Sequence, residues 1–351
     1  MVILNLLMSA TERIHVLSIR QFTDQQRAKI CAVSPLIDLI EVDGRSDNAA
    51  IIAAMTAQTK VMYAFRGNFE LNTASGLKWV QMENAGVDHL HGTPLWQRAE
   101  LLLTSANGAH SPQMPEYVMS VLLAHMHRLP LTLTLQMQRT WGDGVHRKRL
   151  TPRELRGLTI GIVGYGAIGR ELAQLAHAFG MRVVATARSQ AGAGQYTGYM
   201  RPGVGDAEGT LPARYFTLDQ IHDLLRESDV VVLALPLSEK TCGLIDAAAL
   251  QQMKPDAVLI NIGRGALIDQ MALVAAMQRH AIEAAILDVT DPEPLPTDHP
   301  LWQTDGVWIT PHISGHSTHY IDNTTDIFAE NLRRYLAGLP LLNVVQRDLG
   351  Y

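Results

Sequence analysis

The sequence has little cysteine: Cys31 and Cys242 are the only two in 351 residues, far apart and in apolar surroundings. Neither a disulfide framework nor a cysteine-based metal site follows, and a reducing cytoplasm fits. Fourteen histidines are present, but none stands in an HExxH or similar ligand spacing, so no metal is expected. Charge of one sign is also lacking. The net charge is -5 and the pI about 6.3, which favours neither nucleic acid nor an anionic membrane as partner. No apolar run reaches the length of a membrane span, and there is no internal repeat. Met1–Met8 is apolar but short and without a basic flank, so it does not read as a signal peptide; Met8 is an alternative start.

What is present is ordinary for a globular chain with a real core: 47% hydrophobic and 18% charged residues, at a length that suggests two domains. The most informative stretch is Leu158–Ser189, which reads as strand, glycine turn, helix and strand. Thr159–Val163 is short, apolar and β-branched, as a buried parallel strand should be. Gly164-Tyr165-Gly166-Ala167-Ile168-Gly169 follows at once. In that setting Gly164 permits the tight turn, Gly166 lets backbone approach a pyrophosphate, and Gly169 lets the helix pack on the strand. The helix N-terminus then faces the phosphates, so a dinucleotide is the expected cofactor. Where an acidic residue would take the ribose 2′-OH of NAD, this chain has Ala187, followed by Arg188 and Ser189. The missing carboxylate and the adjacent cation favour NADP(H), with NAD(H) possible.

Upstream, strands are expected at Ile14–Ile19, Ile37–Val42, Val61–Ala64, Leu77–Met82 and Leu101–Leu103, alternating with helices. This is one α/β unit with a parallel sheet. Met114 to about His127 reads as a long apolar helix that Pro130 breaks, and Gln136–Pro152 as a polar surface loop or arm at a subunit contact. The glycine-rich insert from Ser189 to Arg214 reads as a mobile surface loop, or as a flap over the adenine end with Arg201 or Arg214 as a second phosphate partner. Further strands are expected at Val230–Leu235, Ala257–Ile262, Ala284–Val289 and Val307–Thr310, and a final amphipathic helix at Tyr320–Leu336.

Three polar residues follow those strands. Arg264 stands between Gly263 and Gly265, Glu293 in a proline-rich turn after Ala284–Val289, and His312 after Val307–Thr310. The carboxyl edge of an open parallel sheet is where its ligands bind. Reduction of a carbonyl beside a nicotinamide needs an acid for the new alkoxide and a cation on the substrate. His312 suits the acid, Glu293 holds it and favours its charged form, and Arg264 suits a 2-oxo carboxylate.

The ordered motifs GYGAIGRELA, LALPLSEKTCGLID, NIGRGALID, DVTDPEPLP and TPHISG resemble the D-isomer-specific 2-hydroxyacid dehydrogenase family. The resemblance runs through nearly the whole chain, from WVQMENAGVDHL to ENLRRYLAGLPLLNVV. It implies an α/β fold of two doubly wound, Rossmann-like parallel-sheet domains with a cleft between them that closes on the substrate. The substrate domain would be 1–108 with 322–351, and the dinucleotide domain 109–321. It implies Arg264, Glu293 and His312 as the active-site trio, and Pro236 and Asp288 beside the cofactor. It also implies Arg66 and Gly67 at the substrate, with Val87 in a second loop setting the pocket, His110 at the hinge, and a homodimer. The expected activity is reversible reduction of a small 2-oxo acid, of the glyoxylate or hydroxypyruvate kind, to a D-2-hydroxy acid. Two other readings of the same trio are a dehydrogenase of another oxyanion such as phosphite and a dinucleotide-sensing, co-repressor-like binding protein. A Glu partner for the histidine argues against formate dehydrogenase.

Overall fold

The computed structural model describes residues 13–45, 48–71, 74–189 and 196–348. Met1–Met8 therefore lies outside the described residues, as does 190–195 of the glycine-rich insert. The chain forms two compact units. The first runs up to His110, with Thr197–Tyr199 and everything from Ser317 on; the second is Ser111–Tyr196 with Met200–His316.

In the first unit, strands β1 (Ile14–Ser18), β2 (Ile37–Glu41), β3 (Thr59–Ala64), β4 (Trp79–Met82) and β5 (Leu102–Thr104) lie in the order β2-β1-β3-β4-β5. Every pairing is parallel, and the order is that of flavodoxin-like sheets. Helices α1 (Asp24–Cys31), α2 (Asn48–Ala54) and α3 (Pro94–Gln97) connect the strands. A capping box starts α1, where Thr23 and Gln26 satisfy each other's backbone N–H groups. The last helix of the chain, Tyr320–Leu336, returns to this sheet. It sets Phe328 against Tyr63 and Trp79, at ring-centroid distances of 5.0 and 5.6 Å. Beneath them lies a buried polar network. Trp79 Nε1 donates to Thr104 Oγ1, while Thr104 and Asn331 both donate to Gln81 Oε1. Asn331 also accepts from Leu342 N–H, so the terminal helix and the segment after it are held by one amide.

In the second unit, β6 (Thr159–Val163), β7 (Arg182–Thr186), β8 (Arg214–Phe216), β9 (Val230–Leu233), β10 (Val258–Asn261), β11 (Ala284–Leu287) and β12 (Val307–Ile309) form a seven-stranded sheet. The order is β12-β11-β10-β9-β6-β7-β8, all parallel. Read outward from β6, this is the doubly wound dinucleotide-binding order, with its switch point between β6 and β9. The helices are α4 (Gln113–Met126), α5 (Leu129–Met137), α6 (Val145–Arg149), α7 (Ala167–Ala178), α8 (Ile221–Glu227), α9 (Ala247–Leu250) and α10 (Gln270–Gln278); Tyr320–Leu336 is α11. Alternate strand residues face opposite layers. Ile160 and Ile162 pack on Val118, Leu122, Leu172 and Ala176 of α4 and α7. Val231, Leu233 and Leu259 pack on Leu224, Leu250 and Leu273 of α8 to α10. No single helix among the described residues is long and apolar enough to cross a membrane.

Three expectations are corrected. Pro130 does not break the long helix. The break is at Arg128, in the left-handed region at φ 56°, and Pro130 sits in the first turn of α5, where its missing N–H costs nothing. The expected loop after it is partly helical, since α5 runs to Met137 at 62° to α4 and α6 covers Val145–Arg149. The glycine-rich insert is not a free loop over its described part, and its end is the edge strand β8. There Arg214 pairs with Glu227 at 2.7 Å and stacks over Phe216.

The bend after α4 is held by Glu283, which precedes β11. Its Oε1 accepts from Arg128 at 2.8 Å and lies 3.3 Å from His125 Nε2. The contact with His125, then the Arg128 guanidinium, holds the carboxyl down at about 2 against the cost of burial. A depressed carboxylate stabilises above its unfolded pKa and loses that contribution as pH falls through the folded one. The stability of wild type should therefore decline between about pH 4.5 and about pH 2 more steeply than that of Glu283→Gln. Urea unfolding at stepped pH measures this, and equal slopes would show that Glu283 carries no such linkage.

Candidate active site

Because all strands of the second sheet are parallel, the turns that follow them share one edge. The glycine turn follows β6, at the switch point. Gly164 has φ 112°, and a Cβ there would stand 2.6 Å from the carbonyl oxygen of Ala234. A Cβ on Gly169 would stand 2.2 Å from the carbonyl of Gly164, so α7 could not seat as closely. A Cβ on Gly166 would meet nothing within 4 Å. That glycine is not required by internal packing; it leaves backbone bare on an open side, as a phosphate cradle at a helix N-terminus needs. Thr186 Oγ1, at the end of β7, accepts from Gly164 N–H at 2.9 Å and fixes the turn from that side. Ala167 is buried and Ile168 partly buried, in the first turn of α7. Arg188 and Ser189, just past β7, are exposed. Pro236, after β9, uses its carbonyl to accept from Thr241 Oγ1.

The turn after β10 presents Arg264. Asn261, fully buried at the strand end, braces it by accepting from Gly263 N–H and donating to the Arg264 carbonyl. The flanking glycines are packing residues. A Cβ on Gly263 would come within 2.7 Å of Leu235 O, and one on Gly265 within 2.0 Å of the Thr290 carbonyl carbon. The Arg264 turn is thereby wedged between the ends of β9 and β11, with its side chain half-buried.

The turns after β11 and β12 bring Glu293 and His312 together, with Glu293 Oε1 2.6 Å from His312 Nδ1. An ionised carboxylate only accepts, so the proton between them sits on Nδ1 and leaves Nε2 to face outward chemistry. His312 has φ 54°, a left-handed conformation that costs a non-glycine residue roughly 1–2 kcal/mol and gathers at functional sites. Asp288 holds it there. This carboxylate is 1% exposed; Oδ1 accepts from Thr310 Oγ1 and Ile313 N–H, and Oδ2 from Ser314 N–H. The Asp288 carbonyl accepts from His312 N–H at 2.9 Å. Since Thr310 gives its one proton to Asp288, the Tyr117 hydroxyl donates to Thr310, at 2.6 Å. Gln113, a turn earlier on α4, donates to Gly315 O. Asp288 is thus seen as the brace of the histidine turn. Tyr117, Gln113 and Thr310 were missed from sequence, since only the fold brings α4 to this turn. β12 and β10 are two strand spacings apart, so His312 and Arg264 depart from points roughly 10 Å apart.

The residues expected at the substrate lie in the first unit. Arg66 follows β3 and spends its guanidinium on Gly44 O and on the side chains of Asn48 and Asn68. Gly67 is buried, and a Cβ there would reach 2.9 Å from Leu95 Cβ, so its part is close packing. The Val87 side chain is 2% exposed within the core. His110 stacks on Tyr320 at 4.5 Å.

The model of the D-isomer specific 2-hydroxyacid dehydrogenase NAD binding domain matches residues 119–314. The chain belongs to that family. It is 32% identical over 285 residues to a glyoxylate reductase of Aeropyrum pernix, covering 80% of this chain and 79% of that one. Among solved structures it is similar to a D-isomer specific 2-hydroxyacid dehydrogenase family protein of Aeromonas salmonicida, at 29% identity, TM-score 0.74 and 95% and 99% coverage. It is also similar to a family member from Xanthobacter autotrophicus solved with NADPH and MES, at 26% identity, TM-score 0.72 and 97% and 100% coverage. The cofactor of this dehydrogenase family is a nicotinamide dinucleotide, and the glycine turn fits it by the bare backbone at Gly166.

Thr310→Val cuts the link between Tyr117 and Asp288 while nearly preserving shape. It should lower kcat of this dehydrogenase by about tenfold or more through displacement of His312. Steady-state rates check this, and an unchanged kcat would show that the link does not position the histidine.

Proposed function

We propose that the protein reduces a small 2-oxo acid, of the glyoxylate or hydroxypyruvate kind, to the D-2-hydroxy acid, with NADPH preferred over NADH. The reading rests chiefly on the His312–Glu293 pair, which lies on the same sheet edge as the glycine turn. The reduced nicotinamide, when bound, supplies a hydride for C2 of the substrate. His312 gives the proton from Nε2 to the forming alkoxide, and Glu293 at Nδ1 steadies the imidazolium before that transfer and fixes the ring. Arg264 holds the carboxylate and polarises the carbonyl oxygen, and its guanidinium fork suits both tasks. Asp288 is the brace of the His312 turn and lies beside the nicotinamide. In this reading the second unit is the dinucleotide domain and the first is the substrate domain. Arg66 adds a further cation on the substrate side.

The NADPH preference rests on Ala187, where a carboxylate would repel a 2′-phosphate, and on exposed Arg188 beside it. The Xanthobacter relative, solved with NADPH, supports it. A homodimer is proposed as the working assembly. The α5–α6 region exposes Leu133, Met137, Val145 and Trp141, the last 91% exposed, as an apolar surface for a second copy.

Glyoxylate, hydroxypyruvate and pyruvate assayed with NADH and NADPH side by side should show turnover of at least one, abolished in His312→Ala. No turnover by wild type, or full activity in His312→Ala, would overturn the reading. Arg188→Ala should raise the KM for NADPH about tenfold and that for NADH little, by loss of a charge-assisted contact to the phosphate. Equal changes for the two cofactors would show that Arg188 does not read the phosphate.

A further inference from the structure

We propose that Asp206 is the positioning residue of the dinucleotide turn, fastening Gly164–Gly169 so that it binds the part shared by NADH and NADPH. The inference deepens the proposed function and rests on its reading of that turn as the cofactor cradle.

A pyrophosphate is held by several backbone N–H groups at once, so those groups must keep fixed positions. A glycine-rich turn has more backbone freedom to lose than any other, and ordering it on binding lowers affinity. Fastening it beforehand removes that cost. Thr186 already fixes one side through Gly164 N–H. Asp206 fixes the other. Tyr165, the second residue of the turn, donates its hydroxyl to Asp206 Oδ2 at 2.6 Å. Arg170, directly after Gly169, is 1% exposed and donates from Nη1 to the Asp206 carbonyl at 2.5 Å. The Arg170 guanidinium lies 5.0 Å from the Tyr165 ring centroid and 5.2 Å from that of Tyr196. The residues before and after Gly166–Gly169 are thus tied to a single aspartate of the insert.

Asp206 is itself immobilised. Its Oδ1 accepts from Thr210 N–H and its Oδ2 from Leu211 N–H, and Glu171 of α7 accepts from Gly205 N–H at 2.5 Å. Burial pushes the Asp206 carboxyl up, but the hydrogen bonds from Tyr165, Leu211 and Thr210, with Arg170 nearby, hold it below the ordinary carboxylate value. It is therefore an ionised acceptor at neutral pH, and the hydroxyl of Tyr165 is locked as donor. Arg188 acts on the phosphate that distinguishes the two cofactors, whereas Asp206 acts on the turn that serves both.

The test is fluorescence titration of the full chain with NADH and with NADPH. Asp206→Ala and Tyr165→Phe should each raise the dissociation constant of both cofactors about tenfold, the worth of one charge-assisted hydrogen bond. The NADH-to-NADPH ratio should stay as in wild type, and the loss should appear in the cofactor KM rather than in kcat. The double variant should bind no more weakly than Asp206→Ala alone, because both changes break the Tyr165–Asp206 link. Tyr165→Phe carries the test should Asp206→Ala not fold. Dissociation constants within about twofold of wild type, less than a single net hydrogen bond is worth, would overturn the proposal, as would a loss confined to NADPH. If wild type binds neither cofactor, the cofactor reading itself falls and takes this inference with it.

Discussion

The chemistry of the second unit depends on seven strands running in one direction. A parallel sheet delivers every strand's following turn to the same edge, so residues far apart in sequence share a surface without any further design. The glycine turn after β6, Arg264 after β10, Glu293 after β11 and His312 after β12 all arise this way. The switch point between β6 and β9 parts the helices to opposite faces and leaves the edge open there. Its width is set by backbone contact, because Gly164 admits no side chain against Ala234.

Location on an edge is not orientation, and the turns are fixed by buried polar groups that the helices bring. Asn261 fastens the arginine turn, and Asp288 the histidine turn. The left-handed backbone at His312 costs free energy, and the several hydrogen bonds to Asp288 offset it. Tyr117 and Gln113 extend the brace to α4, whose far end is held to the sheet by His125, Arg128 and Glu283. The helix that fills one face of the core thereby also grips the proposed acid.

Much of this was legible in the sequence, for identifiable reasons. Most of the buried strands of the second sheet read as short apolar runs. The terminal helix reads from Tyr320 to Leu336 because its apolar stripe keeps helical period against polar neighbours. The family and the two-sheet fold followed from motifs whose spacing survives in the chain. What failed to show was set by tertiary context. β8 is three residues at a sheet edge, hidden in a glycine-rich stretch. The bend at Arg128 is a backbone choice supported by Glu283, 155 residues away. Asp206 lies in GVGDAEG, where an aspartate reads as a turn residue, and its meaning comes from Tyr165 and Arg170 in another element.

The dinucleotide end of the sheet separates two demands that a single carboxylate after β7 would combine. A carboxylate bound to the ribose hydroxyls gives affinity and rejects a 2′-phosphate in the same contact. Here the residue is Ala187, which has no carboxylate to make that contact. In the proposed reading a turn held at Thr186 and Asp206 adds affinity by entering the complex already ordered, without reference to the phosphate. In the proposed reading selectivity falls to Arg188, exposed just beyond the strand, whose charge would act on a 2′-phosphate.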